Sequence, residues 1–377
     1  MLDLSDIAII DNHCHPILMQ QKMDVLAFRS YFTEATHADF AQKHIQHTVY
    51  YTWLLRQLAT LYACSAREEE IVSVHNSMTA EQLLAYLVKA AGIDTLILDV
   101  GHPLPEYCFS PRAIQQFAGC RTAYMLRLET LMERLVIDNA DFDTVVTLFE
   151  QSLIDLKAQG YCALKSIVAY RCGLEIREWS KDDAVHAFDE ARVIVQRQGT
   201  LRLVQKPLID YLLHRAFRQA ARQQMPIQFH TGYGDSDTDM RLGNPLHLRA
   251  VLEVSDYHSM PIILLHESYP YTQLGAYLAA IYPHVYFDLS YMIPMLDKLE
   301  MATFTRQALS IAPASKLMYS SDGIHVPEMY WAGATRGRAI IGQVLQEMLT
   351  AEELDYEQAE LFARLILHDN ALMLYKL

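Results

Sequence analysis

The sequence has no excess of basic residues and no long hydrophobic run. Lysine and arginine number 31 against 45 aspartate and glutamate in 377 residues, which gives a formal net charge of −14. Nucleic acids and anionic membranes both select basic surfaces, so we expect neither as a partner. No apolar stretch approaches the roughly 18 residues of a membrane span, and no basic segment precedes the first apolar run as in a secretory signal. The sequence therefore predicts a cytoplasmic protein.

Cysteine is scarce, and glycine-rich phosphate loops are missing. The six cysteines include no C-x-x-C pair, which argues against a structural zinc knot and against a disulfide framework. We therefore expect reduced thiols. The sequence also contains no G-x-G-x-x-G or Walker-type loop, which argues against a nucleotide-binding open sheet.

The hydrophobic fraction of 51% is arranged as a series of short apolar runs. Runs of this kind, bounded by polar or turn residues, are typical of strands that are buried on both faces of a parallel sheet. The predicted strands are 6–11, 95–100, 122–128, 162–169, 226–230, 261–266, 285–289 and 317–320.

Amphipathic helical patterns separate these runs. The clearest cover 80–91, 143–159, 207–224 and 244–255. Strands that alternate with helices in this way favour a closed (β/α)8 TIM barrel, an α/β fold, over an open doubly wound sheet. No linker rich in glycine, serine or proline divides the chain, so we predict a single domain over residues 1–377.

One segment is too long for a minimal barrel. Residues 17 to about 90 separate the first two predicted strands, far more than the usual connection. Within this segment, 38–61 is a long helical pattern rich in tyrosine, tryptophan and histidine. We predict a helical insertion after strand 1 that covers the mouth of the barrel.

Polar side chains end several of the predicted strands, which is where the chemistry of a (β/α)8 barrel lies. The potential metal ligands at these ends are His13, His15, His230, His266 and Asp322, and Lys165 lies near the end of the fourth strand. Each alone is weak evidence, because a histidine after a strand is more often structural and an aspartate before glycine is more often a turn residue. Together on one rim they predict a site for a divalent metal, zinc or a similar ion, with one or two ions bound.

The spacing of the first two histidines suits a shared ion. His13 and His15 alternate along an extended segment, so both side chains point to the same face. A metal with an open coordination position lowers the pKa of a bound water toward about 7. A carboxylate beside that water can take its proton and pass it to a leaving group, and Asp322 is placed for that role.

Four segments carry a resemblance to a known family: DNHCHP at strand 1, FHTGYGD at strand 5, LLHESYP at strand 6 and YSSDG at strand 8. The sequence resembles the amidohydrolase superfamily of metal-dependent (β/α)8 hydrolases over nearly the whole chain outside the insertion. The resemblance implies that His13, His15 and Asp322 bind the more buried metal. It also implies that His230 and His266 bind a second metal or the substrate.

Finer similarity points to one branch of that superfamily. The segments KSIVAYRCGL, HTGYGD, FDLSYMIP and SSDGIHVPE resemble the FluG/nodulin-like branch, whose barrel is in some proteins joined to a glutamine synthetase-like domain. We expect no such second domain within these 377 residues.

Lys165 has two interpretations. In several superfamily members a lysine at the end of strand 4 is carboxylated and bridges two metals, so the resemblance implies this role for Lys165, which lies in the run CALKSIVA. The alternative is an ammonium paired with an acidic neighbour, because a bare lysine in an apolar run is costly unless it is paired or modified. The first interpretation gives a two-metal site and the second a one-metal site.

Residues just beyond the strands could contact a substrate. Arg171 follows strand 4 and could clamp a carboxylate through two parallel hydrogen bonds. The other candidates for the pocket wall are Tyr170, Tyr233, Tyr291 and His325. For each of these four, the alternative is an ordinary packing or loop residue.

These observations predict a metal-dependent hydrolase that uses metal-activated water to cleave a C–N bond of amide type in a small, carboxylate-bearing substrate. Asp322 would move the proton, and His266 or His230 would polarise the carbonyl oxygen. Two alternatives stay open: a metal-dependent decarboxylase or sugar-acid isomerase of the same superfamily, and a barrel without catalytic activity. The expected partner is a small-molecule substrate, and the sequence is compatible with a homo-oligomer.

Overall fold

The computed structural model describes residues 2–377 and contains an eight-stranded sheet in the order β1-β2-β3-β4-β5-β6-β7-β8. The strands are β1 Ile9–Cys14, β2 Ile93–Asp99, β3 Arg121–Arg127, β4 Tyr161–Ser166, β5 Ile227–Phe229, β6 Ile262–Leu264, β7 Val285–Ser290 and β8 Leu317–Ser320. Neighbouring strands are parallel, and helices lie between them in the chain. The chain is a nearly closed (β/α)8 TIM barrel, which confirms the predicted fold class.

The described residues form sixteen α-helices. In chain order these are α1 Val25–Ser30, α2 Ala38–Lys43, α3 Val49–Tyr62, α4 Glu68–Ser77, α5 Ala80–Ala91, α6 Pro111–Ala118, α7 Leu128–Asp138, α8 Phe142–Ser152, α9 Lys181–Gln198, α10 Lys206–Gln223, α11 Arg249–Leu252, α12 Thr272–Ile281, α13 Lys298–Ile311, α14 Pro327–Thr350, α15 Tyr356–Arg364 and α16 Asn370–Tyr375. Within residues 2–377, none of them has both the length and the apolar character needed to span a membrane.

The first strand begins later than the predicted run 6–11. The amide of Ile7 donates to the carbonyl of Leu4 (3.3 Å) and closes a turn before the strand. At its other end the strand continues to Cys14, which pairs with Leu98 of β2. His13 consequently lies inside β1, where every residue is buried, and not after the strand as its predicted end would place it.

The fifth and sixth strands are shorter than their predicted runs, 226–230 and 261–266. Each has three residues. His230 and His266 follow these strands, and the backbone of His266 is already left-handed, with φ +62°. A left-handed residue cannot continue a strand, which is why the ladder ends before His266.

Local sequence explains where helices of two predicted patterns begin and end. The pattern 80–91 is α5, which starts at a capping box between Thr79 and Gln82 and ends at Gly92 with φ +68°. The helical pattern 38–61 forms two helices, α2 and α3. The side chain of Thr48 accepts a hydrogen bond from the amide of Tyr51, so it caps and starts a new helix inside the apolar pattern.

Two compact units can be distinguished by their internal contacts. One consists of the residues up to Ala123 with Gly234–Ser236 and Asp288–Met373, and the other of Tyr124–Tyr233, Asp237–Phe287 and Leu374–Leu377. The first contains β1, β2 and β8 together with the helices of the predicted insertion, and the second contains β4, β5 and β6. The single domain over residues 1–377 stays a prediction.

The segment between β1 and β2 is helical, as predicted. Its helices belong to the first unit and pack against α14 of the same unit. Arg336 of α14 lies over the rings of Tyr50 and Trp53 of α3, 5.4 and 5.2 Å from their centroids. The same guanidinium donates to the carbonyl of Leu296 (2.5 Å), after β7. One buried cation therefore holds α3 against both α14 and the segment after β7.

A buried histidine forms a second link between the insertion and α14. His75 of α4 is fully enclosed, and its Nδ1 lies 2.5 Å from Oε1 of Glu328 on α14. Its Nε2 lies 2.8 Å from the carbonyl of Gln21, and Tyr62 donates to the same glutamate oxygen. Burial lowers the pKa of His75, but the charge of Glu328 and the two acceptors outweigh it and raise that pKa.

This link predicts a loss of stability at alkaline pH. A raised pKa means that the stabilisation by His75 is complete below about pH 6.5 and is lost as the pH rises through the pKa in the folded state. We expect His75→Ala to lower the free energy of unfolding by about 3 kcal/mol or more at pH 6, because a buried partner is left unpaired. The measurement is urea unfolding of both proteins from pH 6 to 9. A difference that stays constant over this range would contradict the role of the His75 charge.

Candidate active site

Backbone pairing between the first and last strands positions the first group of predicted ligands. The amide of Asp322 donates to the carbonyl of His13 (3.0 Å), and the amide of His15 donates to the carbonyl of Gly323 (2.8 Å). These two hydrogen bonds join the end of β1 and the residue after it to the residues that follow β8. They hold the side chains of His13, His15 and Asp322 beside one another.

The three side chains meet at one carboxylate oxygen. Nε2 of His13 lies 3.3 Å from Oδ1 of Asp322, and Nε2 of His15 lies 3.4 Å from the same oxygen. A charge-assisted hydrogen bond would be shorter, about 2.7–2.9 Å. Donor atoms around a tetrahedral metal, with bonds of about 2.0–2.2 Å, are about 3.3–3.5 Å apart. Each of the two distances to Asp322 therefore fits a pair of ligands on one divalent ion.

A backbone carbonyl sets the orientation of one of these imidazoles. Nδ1 of His15 lies 3.0 Å from the carbonyl oxygen of His102. A carbonyl only accepts, so Nδ1 must carry the proton and Nε2 of the neutral ring keeps its lone pair. That lone pair faces Asp322, which is the arrangement that metal-binding histidines need. His102 contributes to this arrangement through its backbone carbonyl and not through its imidazole.

The aspartate itself stands in a constrained turn. Asp322 has φ +53°, a left-handed conformation that aspartate and asparagine tolerate better than most residues. The amide of the preceding Ser321 donates to Oδ1 of Asp11 (2.9 Å). Burial raises the pKa of Asp11 to about 7, although its hydrogen bonds with Ser321 lower it. Asp11 thus anchors the turn that presents Asp322.

His325, predicted to line the pocket, lies among other aromatic rings. Its ring centroid is 5.0 Å from that of Tyr31, which belongs to the insertion, and 6.2 Å from that of His102. Burial, together with the nearby His15, lowers the pKa of His325 to about 4. At neutral pH this imidazole is therefore uncharged and can donate or accept a hydrogen bond.

The second unit brings together the histidines that follow β5 and β6. The ring centroids of His230 and His266 are 4.5 Å apart. Tyr170 lies 4.3 Å from the His230 ring, and Tyr233 lies 5.8 Å from the His266 ring. Nε2 of His230 is 2.6 Å from the carbonyl of Tyr233, so it carries a proton and leaves Nδ1 as the lone-pair nitrogen of the neutral ring.

An unusual backbone segment presents His266. The residues His266, Glu267 and Ser268 have φ +62°, +51° and +48°, a run of left-handed conformations that non-glycine residues adopt at a cost. Two glycines, Gly232 and Gly275, lie so close to this segment that neither position has room for a side chain. A Cβ at Gly232 would lie 2.2 Å from the carbonyl of Tyr269, and one at Gly275 would lie 2.7 Å from the Ser268 hydroxyl. The surrounding packing therefore stabilises the strained segment.

The first unit brings potential ligand atoms close enough for one ion. A ligand atom of His13 and one of Asp322 lie within 4.8 Å of each other. Imidazole nitrogens and a carboxylate oxygen are the donors that zinc and similar ions select. The residues present thus fit a divalent metal.

Lys165 and Arg171 occupy different settings along the fourth strand and its loop. Lys165 is 1% exposed and pairs in register with Arg127 of β3 and Gln228 of β5. This burial is what both of its interpretations require, and its carboxylation stays a prediction. Arg171 lies 3.1 Å from Oε1 of Glu133, so one nitrogen of its guanidinium already has an anionic partner.

Tyr291 lies in the core of the first unit. It is fully buried, its hydroxyl is 3.1 Å from that of Thr305 on α13, and its ring stacks on Tyr319 at 5.8 Å. A Cβ at Gly337 of α14 would lie 2.8 Å from the same ring. These are the contacts of a packing residue, the alternative interpretation, so Tyr291 is left out of the site proposed below.

Glu34 is a buried carboxylate near Asp322 that no sequence pattern indicates. Burial is the main cause that raises the pKa of the Glu34 carboxylate to about 7. The negative charges of the nearby Asp322 and Asp235 raise it further. The hydroxyl of Thr36 lies 2.9 Å from that of Ser236, which brings this part of the insertion to the loop after β5. No motif surrounds Glu34, so only its position in the fold identifies it.

Comparisons with known proteins agree with this geometry. The family described as Amidohydrolase matches residues 175–377. The fluG protein of Emericella nidulans is 28% identical over 404 aligned residues, which cover 98% of this chain and 46% of fluG. The chain therefore spans about half the length of that curated relative.

Solved structures are similar along the whole chain. A Lactobacillus casei protein, named only provisionally as a metal-dependent hydrolase, has a TM-score of 0.87 and 26% identity, with 100% of this chain and 98% of that chain covered. A uronate isomerase of Thermotoga maritima has a TM-score of 0.70 and 14% identity over 98% and 95% of the two chains, which shows a shared fold alone. With the family match over more than half of its residues, this chain belongs to the amidohydrolase superfamily.

Proposed function

We propose that this chain is a metal-dependent hydrolase that cleaves a C–N bond of amide type in a small, carboxylate-bearing substrate. The observation that carries the proposal is the convergence of two imidazole nitrogens on Oδ1 of Asp322 at 3.3 and 3.4 Å. The similarity to the Lactobacillus casei protein supports the same reaction class. We further propose zinc as the ion, because neutral imidazoles and one carboxylate are its common ligands.

The proposed ligands of the ion are His13, His15 and Asp322, with His266 or His230 completing the set. A divalent ion held there would supply Lewis acidity and lower the pKa of water toward about 7. The protein's own contribution is to orient each ligand. The carbonyl of His102 does so for His15, and the carbonyl of Tyr233 does so for His230.

Asp322 is the proposed proton carrier. Its side chain is 21% exposed, so it borders a space that water and substrate can reach. In the proposed reaction its carboxylate takes a proton from the attacking water. It then gives that proton to the departing nitrogen as the C–N bond breaks. His266 donates a hydrogen bond to the carbonyl oxygen, on which negative charge develops.

The loop after the fourth strand is the proposed binding site for the substrate carboxylate. Nε of Arg171 is buried and has no hydrogen-bond acceptor among residues 2–377, although another nitrogen of the guanidinium pairs with Glu133. A carboxylate ligand would satisfy that N–H group. Tyr170 and Tyr233, which pack on the two histidines of the second unit, and His325 are the other proposed substrate contacts.

The proposal is tested with metal-loaded protein and a substrate panel. N-acyl amino acids, γ-glutamyl amides, lactones and aromatic carboxylates are incubated with the protein, and amine release is followed together with loss of the substrate. We expect amine release from at least one carboxylate-bearing amide, abolished by a chelator and restored by Zn²⁺. Release of CO₂ from an aromatic carboxylate, or isomerisation of a uronate, without any amidase activity would favour the alternative reactions instead.

Lys165 provides a test of the number of ions. If Lys165 is carboxylated and bridges two metals, Lys165→Ala should lose one of two bound ions per chain, because two close cations need an anion between them to offset their repulsion. The measurement is metal content by mass spectrometry, with intact-protein mass determined at high bicarbonate. Added acetate or propionate should partly restore the second ion.

The competing picture has one ion and a Lys165 ammonium paired with an acid. It predicts one ion per chain in both proteins and a loss of stability in Lys165→Ala. Lys89→Ala, an exposed lysine on α5, is the matched control for the loss of a lysine. A single metal bound equally by wild type and Lys165→Ala would remove carboxylation while leaving the hydrolase proposal intact.

A further inference from the structure

A cavity of about 250 Å³ lies on the second unit, among residues that play no part in the proposed reaction. It is lined by Glu178 and Trp179, which precede α9, and by Tyr211, His214, Arg215 and Arg218 of α10. The four residues of α10 are spaced so that they share one face of the helix. The cavity therefore has a wall of polar and aromatic side chains that belong to one rigid element.

The loop that forms the opposite wall is held firmly in place. The indole Nε1 of Trp179 donates to Oδ2 of Asp210 (2.9 Å), and the amide of Arg177 donates to the same oxygen (3.0 Å). Asp210 is fully buried and is also 2.9 Å from Nζ of Lys206. The position of Trp179 is thus fixed, and its ring forms a preformed wall of the cavity.

His214, which lines this cavity, has a buried nitrogen that makes no hydrogen bond of good geometry among residues 2–377. His214 lines the cavity but is only 6% exposed. Its Nδ1 lies 2.9 Å from the hydroxyl of Tyr257, whereas Nε2 is buried and has no partner within hydrogen-bond geometry in residues 2–377. A buried polar atom in that state costs free energy, so a ligand that supplied a partner would bind with an advantage.

Arg215 offers a second unsatisfied group. Two of its nitrogens are used, because they donate to Oε1 of Glu150 and to the hydroxyl of Tyr211, and the guanidinium lies 4.5 Å from the centre of the Tyr211 ring. Its Nε is buried and has no acceptor among the residues described. An anionic oxygen in the cavity could accept from this N–H group.

Two opposite charges border the cavity without pairing with each other. Arg218 and Glu178 are both exposed and both line it. Neither forms an ion pair with any residue in the described part of the chain. A cation and an anion that both line a small cavity suit a ligand that carries both charges itself.

We propose that this cavity binds a small zwitterion, a free α-amino acid with a flat apolar side chain. Its carboxylate lies at Arg218, with the N–H group of Arg215 and Nε2 of His214 as further partners. Its ammonium group lies at Glu178. Its side chain packs against the rings of Trp179 and Tyr211, and an aromatic ring is the flat apolar group that such surfaces favour.

The test uses three probes that differ in charge: L-phenylalanine, 3-phenylpropionate, which lacks the ammonium, and 2-phenylethylamine, which lacks the carboxylate. Dissociation constants are measured by ligand-observed NMR and by quenching of tryptophan fluorescence excited at a wavelength that the probes do not absorb. We expect L-phenylalanine to bind with a Kd of about 1 mM or tighter, and at least about fivefold tighter than either single-charge probe.

Charge-neutral variants assign the two ends of the ligand. Arg218→Gln should weaken the binding of L-phenylalanine and of 3-phenylpropionate at least about fivefold and leave that of 2-phenylethylamine unchanged. Glu178→Gln should weaken the binding of L-phenylalanine and of 2-phenylethylamine at least about fivefold and leave that of 3-phenylpropionate unchanged. Arg222→Gln on the same helix and Glu175→Gln in the same loop are matched controls outside the cavity. Equal affinity for all three probes, or binding that survives both cavity variants but is lost in Asp322→Asn, would overturn the proposal.

Discussion

Asp322→Asn is expected to lose at least about 10²-fold in turnover on any substrate that the enzyme hydrolyses, the low end for the loss of a general acid–base group. The variant should nevertheless fold. Asparagine has nearly the same size and also tolerates the left-handed conformation, φ +53°, that this position requires. It removes the negative charge at the oxygen that faces His13 and His15, and it removes the group that accepts the proton.

The measurement is kcat at saturating substrate with the metal concentration held above the Kd, together with the melting temperature of the metal-depleted protein. Asp237→Asn is the matched control, because Asp237 is exposed, pairs with Arg202 (3.0 Å) and is not one of the proposed ligands. We expect both variants to melt within a few degrees of wild type in the metal-depleted form. An unchanged kcat in Asp322→Asn would remove Asp322 from the mechanism.

The barrel could be predicted because its strands differ from its helices in length and in composition. β8 was predicted over its observed residues, and α5 was predicted with its observed bounds, since the capping box at Thr79 and the glycine after Ala91 mark the ends of α5. The end of β1 could not be predicted, because the polar residues Asn12 and His13 look like a loop. They are buried in the strand and are held there by partners that are distant in sequence.

The predicted ligands that the structure brings together come from strand ends, where topology alone fixes the neighbourhood. Residues outside strand ends could not be found in this way. Glu34 belongs to the insertion and lies near enough to Asp322 for the two charges to interact. The backbone carbonyl of His102 orients the ring of His15. Tyr291 shows that a position after a strand end does not by itself tell where a side chain lies. It follows a strand end, but its ring turns toward Tyr319, and a sequence does not reveal which side of the sheet a residue after a strand will face.

The double variant His13→Ala and His15→Ala should lose its metal. The two Nε2 atoms supply two of the three donor atoms that meet at 3.3 and 3.4 Å around Asp322 Oδ1. A site at Asp322 that has lost both of these imidazoles cannot hold zinc tightly. We expect bound metal to fall below about a tenth of the wild-type molar ratio, because structural and catalytic zinc sites need three or four protein ligands. Metal is measured by mass spectrometry after purification without chelators.

Thermal stability gives an independent measurement of the same site. A ligand present at a hundred times its Kd stabilises the folded state by about 2.7 kcal/mol, so a chelator should lower the melting temperature of wild type and have no effect on the double variant. The matched control is His44→Ala with His186→Ala, two exposed histidines on other elements, which should retain both the metal and the response to chelator. Full metal content in His13→Ala/His15→Ala would show that the ion, if bound, is held elsewhere, because no arrangement centred on Asp322 can lose both imidazoles and keep its affinity.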